Sequence, residues 1–263
     1  MTNYYVENTE AWKALSNIDY FTYFVKAWIP FNAWYRNSYP ALESDAEIMH
    51  QIRTQPNSFK NRIISLLENT DSDSIVFKEN LYRLHYQLER NHIYNRGVRI
   101  SFENIVVEEN PVITETRTYR GFSYNVEIDA GNKRKITSTI IKDIKSVIRL
   151  DICQNNGYNL DEIVNHSQYK ALPPECKRIL KACYEEVNPR KAISLLATDP
   201  SDSIKIGNYN FVNDSELISK AVITVIYNLR NSLFHGQLVP DRNTQLVYEP
   251  AYQMLRMLVL SLS

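Results

Sequence analysis

The sequence predicts a mainly α protein, a helical bundle with one inserted β-hairpin or small antiparallel sheet. Three observations carry that reading. Apolar residues recur at steps of three and four through several long segments, as an amphipathic helix requires. Between Gly97 and Gly131 the pattern switches to alternation, with Val98, Ile100 and Phe102, then Phe122, Tyr124, Val126 and Ile128, spaced by polar residues. Eighteen tyrosines against six glycines suit a helix-rich chain with many half-buried aromatic contacts. A chain of 263 residues, 44% hydrophobic, can bury a substantial core. It reads as one domain over residues 1–263 with the β insertion at about 97–131.

The elements follow in order. Residues up to about Ser16 form a polar lead-in anchored by Trp12. Asn17 to Ser38 gives a helix with a broad aromatic face, interrupted or kinked near Pro30; Trp28, Phe31 and Trp34 read as core sooner than as a base-stacking platform. Asp45 to Leu67 is a second helix, capped by Ser44 or Asp45 and bent or broken at Pro56. A polar turn leads to a third, about Ile75 to Asn95, whose His85 and His92 read as surface or capping residues because no acidic or Cys partner stands out at ligand spacing. Glu108-Glu109-Asn110-Pro111 marks the turn between the two β arms. Thr137 to Asn155 reads as a helix with Ile140, Ile141, Ile144, Val147 and Ile148 inward. Short helices at Asn159–His166, Pro173–Val187 and Pro189–Ala197 follow, with Pro near the start of the last two. Asp199 to Asn213 is a loop, and a final, almost uncharged helix runs from Pro250 to Leu262.

Charge restricts partners. Lys and Arg number 30, as do Asp and Glu, so any polyanion site must be a local patch. The densest basic surface combines Lys133, Arg134 and Lys135 with Lys142, Lys145 and Arg149, the last three spaced as one face of the expected helix at 137–155. These six are the candidate RNA-contacting residues, against the plainer reading of a solvated charged face. Cys153, Cys176 and Cys183 are odd in number and lack metal-ligand spacing, and no apolar run is long enough to span a bilayer. Free thiols, a cytoplasmic location and no membrane association are the expectation. Phosphate-binding loops, metal-ligand clusters and nucleophile elbows are absent from the sequence, so neither metal nor cofactor is expected.

The segment that remains is Arg230-Asn231-Ser232-Leu233-Phe234-His235-Gly236. Asp214 suits an N-cap, Leu217, Ile218, Ala221, Val222, Val225, Ile226, Leu229 and Leu233 form one helical stripe, and Gly236 suits the C-terminal cap. Asn228, Asn231 and His235 fall on one ridge, with Arg230 beside Tyr227 and Phe234. On a regular helix Arg230 and His235 stand about 140° apart, too far round to grip one phosphate together.

Arg230-Asn231 followed by His235 resembles the R-x4-H signature of the HEPN superfamily in its form with a polar residue after the arginine. The wording Arg-Asn-Ser-Leu-Phe-His-Gly is similar to that of defence-type members. The resemblance covers Tyr227 to about Leu260, more loosely Trp28 to Tyr35. Where a minimal toxin subfamily has Tyr two residues after His, this chain has Gln237. The resemblance implies a HEPN-like helical bundle and a metal-independent endoribonuclease of phage defence or a toxin system, pairing as a homodimer with a composite active site. In that reading His235 is general base or acid, Arg230 holds the scissile phosphate and Asn231 orients one of them. RNA is the expected partner, with a regulatory protein as a further candidate. The alternative is a non-catalytic HEPN RNA-binding or protein-interaction module, in which Asn231 and His235 cap a helix and Arg230 pairs with a carboxylate.

Overall fold

A computed structural model describes residues 19–129, 131 and 135–262. The chain divides into two compact units, one formed by residues up to Val107 with Ile193 onward, the other by Glu108–Ala192. The basic residues Lys133 and Arg134, and the Trp12 lead-in, lie outside the described residues.

The first unit is largely helical. α1 (Tyr20–Ser38) starts where the Asp19 carboxylate accepts the N–H groups of Phe21 and Thr22, and it runs unbroken through Pro30. Its Phe24, Trp28, Phe31 and Tyr35 are buried, with Phe31 stacked 4.2 Å from Phe59. α2 (Asp45–Thr54) opens with a capping box in which Ser44 and Glu47 bond each other's backbone N–H. The break expected at Pro56 is real, and α3 (Ser58–Glu68) restarts at the Asn57 cap. α4 (Ser72–Arg90) follows. A tight hairpin, β1 (Tyr94–Asn95) and β2 (Val98–Arg99), then turns on Arg96 and Gly97, both at positive φ, as a two-residue hairpin turn of this hand requires.

The chain returns to this unit at Ile193, which exchanges backbone bonds of 2.9 and 3.0 Å with Ile105. A second hairpin pairs β7 (Ser203–Ile206) with β8 (Tyr209–Val212). At its Gly207, φ is +58° and a Cβ would stand 2.4 Å from the Tyr82 ring, so only glycine fits. α8 (Ser215–Phe234) begins at Asp214, whose side chain accepts the Leu217 N–H. α9 (Arg242–Leu260) begins at Asp241 and buries Val247, Tyr248, Met254 and Leu255. Tyr248 meets Phe21 and Phe24 of α1 edge-on, so the last helix is covered by the first.

The second unit is a four-stranded antiparallel meander, β3 (Thr114–Tyr119), β4 (Phe122–Ile128), β5 (Thr137–Lys142) and β6 (Ile148–Gln154), in that spatial order. Helices α5 (Leu160–Asn165), α6 (Ser167–Ala171) and α7 (Pro174–Glu186) supply its other layer. Tyr124, Val126 and Ile128 alternate inward from β4, Leu150 and Ile152 from β6, and they pack with Ile179, Leu180, Cys183 and Tyr184 of α7. All three thiols are free, and burial pushes the Cys183 thiol up to about 11.

Several expectations are corrected. Nine helices and three antiparallel sheets make up the described residues, so the protein is mixed α/β and not a mainly α helical bundle carrying one hairpin. The helix expected at 137–155 is the β5–β6 hairpin. Its isoleucines fit a helical stripe, but Thr137, Thr139 and Ile141 alternate inward and Ile144 is 83% exposed on the turn. The Asp143 carboxylate sets that turn by accepting the N–H groups of Lys145 and Val147. The arm at Val98 pairs with Tyr94–Asn95 and not with 122–128, which instead pairs with 114–119 on one side and 137–142 on the other. Pro189–Ala197 is not helical, and Pro250 lies inside α9. His85 is fully buried. Among the described residues no helix is long and apolar enough to cross a membrane.

Candidate functional site

α8 delivers Arg230, Asn231 and His235 at its C-terminal end, and the manner in which it ends decides what they face. Gly236 adopts φ +62°, letting Gly236 N–H reach the Leu233 carbonyl at 3.2 Å and Gln237 N–H reach the Ser232 carbonyl at 2.9 Å. This pair of bonds is the Schellman arrangement that satisfies a helix's last carbonyls. His235 is the C-cap residue; its own N–H bonds the Asn231 carbonyl at 2.9 Å, and its side chain is exposed with no hydrogen bond or ion pair among the described residues.

Arg230 is placed differently. Its guanidinium lies 3.4 Å from the Asp45 carboxylate at the start of α2 and donates to the Asn231 side-chain oxygen at 2.9 Å. It also sits 4.6 Å from the Phe234 ring centre and 5.7 Å from that of Trp28. Only 21% of its side chain is exposed, and Nε is buried without a partner. Arg36 of α1 pairs with the same Asp45 carboxylate. The buried Tyr35 phenol beside it has its pKa raised, by burial first and the Asp45 charge second, so it stays a neutral hydroxyl. Asn231 is buried, so its amide serves Arg230 and is not presented to solvent.

The β1–β2 hairpin braces this helix end. Ser232, fully buried, donates its hydroxyl to the Tyr94 carbonyl at 2.7 Å; Asn95 donates to the Asn228 side-chain oxygen at 2.9 Å; and the Gln237 side-chain oxygen accepts the Arg96 N–H at 2.9 Å. Three contacts across 130 or more residues of sequence thus fix where His235 emerges. A groove of about 380 Å³ opens beside it, lined by His92, Tyr94, Gln237, Asp241 and Asn243 among others, with Tyr94 45% exposed.

Asp45, Tyr94, Asn95 and Arg96 escaped sequence reasoning. Asp45 was legible only as a helix cap, and nothing local ties it to Arg230. The Arg96-Gly97 pair was the one signal for the hairpin, a weaker turn signature than Asn-Gly.

The candidate RNA-contacting residues belong to the second unit. Lys135 pairs with Glu109. Arg149 donates two hydrogen bonds to Asp143, at 2.6 and 2.9 Å. Lys142 at the end of β5 and Lys145 on the turn are exposed. The helical face expected for Lys142, Lys145 and Arg149 does not exist; they are distributed along the β5–β6 hairpin and its turn.

Among the described residues, those that could hold a metal ion are His85, Glu89 and Glu103, none of them part of the Arg230 segment. Compared with known proteins, the chain matches no family model, no curated protein and no solved structure.

Proposed function

We propose that this chain is a metal-independent endoribonuclease of HEPN type, acting in phage defence or a toxin system, with a site completed by a second copy. The observation that carries the reading is an exposed imidazole, unpartnered among the described residues, at a braced helix end five residues beyond a guanidinium already bonded to an amide. His235 would take the proton from a ribose 2′-hydroxyl, whose oxygen attacks the adjacent phosphorus. The bond to the 5′-oxygen breaks, that oxygen is protonated, and a cyclic phosphate remains. Arg230 would carry the charge that builds on the phosphoryl oxygens.

Arg230 faces α1 and α2 while His235 faces solvent, so a composite site, Arg230 of one copy beside His235 of another, fits the two directions. The Asp45 pair is a single 3.4 Å contact, and Asp45 keeps Arg36 when Arg230 turns to a phosphate. No bare carboxylate is left behind, which lowers the cost of the exchange.

The test is incubation of the purified chain with RNA in EDTA, alongside His235→Ala. Cleavage by the parent and a loss of about 10²-fold or more in the variant is expected; equal cleavage by both removes His235 from the mechanism. Mixing Arg230→Ala with His235→Ala should restore part of the activity if the site is shared. A second reading, a non-catalytic RNA-binding or protein-interaction module, draws on the same Arg230–Asp45 pair, which is what a purely structural arginine would make. RNA binding without cleavage, unchanged by His235→Ala, would select it.

A further inference from the structure

We propose that His85, Glu89 and Glu103 form a binding site for one first-row divalent ion of the Zn²⁺ class. The site is independent of the ribonuclease reading and shares no residue with it. His85 sits in α4 with no exposed surface, and among the described residues neither ring nitrogen has a hydrogen-bond partner. A buried polar group left so costs about 1–3 kcal/mol, and native proteins rarely carry one without a water or ion to satisfy it. The ring is aimed at carboxylates. Its Nε2 stands 3.7 Å from Glu103 Oε1, too long for a hydrogen bond but in the range of two ligands that share an ion at about 2.0–2.2 Å each. One atom from each of the three side chains lies within 4.8 Å of the others.

The sequence builds this cluster simply. Glu89 is four residues after His85, so α4 presents both on one ridge, and Glu103 arrives from the segment after β2. Glu89 is held in place from behind: the Ser101 hydroxyl donates to Oε1 at 2.6 Å, and Arg99 pairs with Oε2. Carboxylate ligands are commonly oriented in this way, and each oxygen keeps a lone pair for the ion. Two carboxylates outweigh the single Arg99 charge, so the pocket is net anionic. Burial lowers the pKa of His85, against a smaller opposing effect of Glu89, and the neutral imidazole is the form that ligates. Tyr209, Phe211 and Phe102 stand edge-on around the ring and fix its plane. The Glu103 side chain is 46% exposed, which gives the ion a way in. One imidazole among the ligands favours a transition ion over Mg²⁺ or Ca²⁺, and three protein ligands leave a fourth position for water.

The full chain, stripped with EDTA and desalted, is titrated calorimetrically with Zn²⁺ and, separately, with Mg²⁺, and its melting temperature is recorded in each. One Zn²⁺ per chain, a raised Tm, and little response to Mg²⁺ are expected. Glu103→Gln should weaken Zn²⁺ binding by at least about tenfold while leaving the Tm of the stripped protein unchanged, since that side chain is half exposed. His85→Asn should lose binding as well. The assignment is overturned if the parent takes up no Zn²⁺, or if Glu103→Gln and Glu89→Gln bind it like the parent, as they would were the ion on the four other histidines, His50, His92, His166 and His235.

Discussion

At the end of α8, Arg230 is held by Asp45, Asn231, Trp28 and Phe234, and a hairpin distant in sequence braces the turn that carries His235. The Lys142–Arg149 turn of the sheet unit is shaped by one side chain, Asp143, and leaves Lys142 and Lys145 in solvent. Both ends are basic, yet only the first has the long-range contacts that can fix a side chain to a fraction of an ångström. The second suits contacts in which charge matters more than position, such as those with a phosphate backbone.

The comparison can be broken most severely at Ser232. Ser232→Ala removes the donor of the part-buried bond to the Tyr94 carbonyl, and a loss of about 1.5 kcal/mol in denaturant unfolding is expected, with faster amide exchange along Tyr94–Arg99. An unchanged midpoint would mean that the hairpin does not brace the helix. Gly236→Ala should cost about 1 kcal/mol, from backbone conformation alone, because an added Cβ meets no atom within 4 Å. A much larger loss would reveal a packing role that the geometry lacks.

Acid separates the two ends. The N–H groups of Val147 and Lys145 hold the Asp143 carboxyl below its ordinary range, helped by Arg149. A depressed folded-state value means that this stabilisation is complete above about pH 3.9 and is lost as pH falls through the lower value. The Lys145 and Val147 amides should therefore lose exchange protection in that window, while those of Gly236 and Gln237, bonded to carbonyls, do not respond locally. Equal responses would erase the distinction. The smallest effect on folding belongs to Lys142→Ala with Lys145→Ala, expected within about 0.5 kcal/mol of the parent. If the turn contacts single-stranded RNA, the same double change lowers the slope of log affinity against log salt by about 1.4; an unaltered slope removes both lysines from the interface.

Local chemistry made α8 legible: Asp214 and Gly236 are the residues that start and stop helices, and the apolar stripe between them is buried from Ile218 to Leu229 and half-buried at Leu217 and Leu233. The Arg230–Asp45 pair and the hairpin brace were not legible, because each is made by residues far apart in the chain. The β5–β6 hairpin was misread because the β-branched residues Ile140, Ile141, Ile144, Val147 and Ile148 satisfy the helical period as well as its Thr137–Thr139–Ile141 alternation satisfies the strand period. Asp143 and the positive φ of Ser146 decide for the turn. Pro250 looked like a first-turn proline, yet Asp241 caps α9 and the proline is carried inside it, buried. For His85 the sequence reading passed over Glu89, four residues on, because two residues on one ridge make no ligand set; the third, Glu103, comes to the ring only on folding.

The bridge between Ile105 and Ile193 has a modular consequence. The polypeptide leaves the helical unit and re-enters it at adjacent positions on one ladder, so the whole excursion from Glu108 to Ala192 is, thermodynamically, a closed loop. Loop-closure entropy grows only logarithmically with length, by about 0.6 kcal/mol for each doubling. Excising that excursion and joining its two ends with a short glycine-rich connector should leave the helical core intact, a tolerance that comes from where the loop closes and not from what it contains.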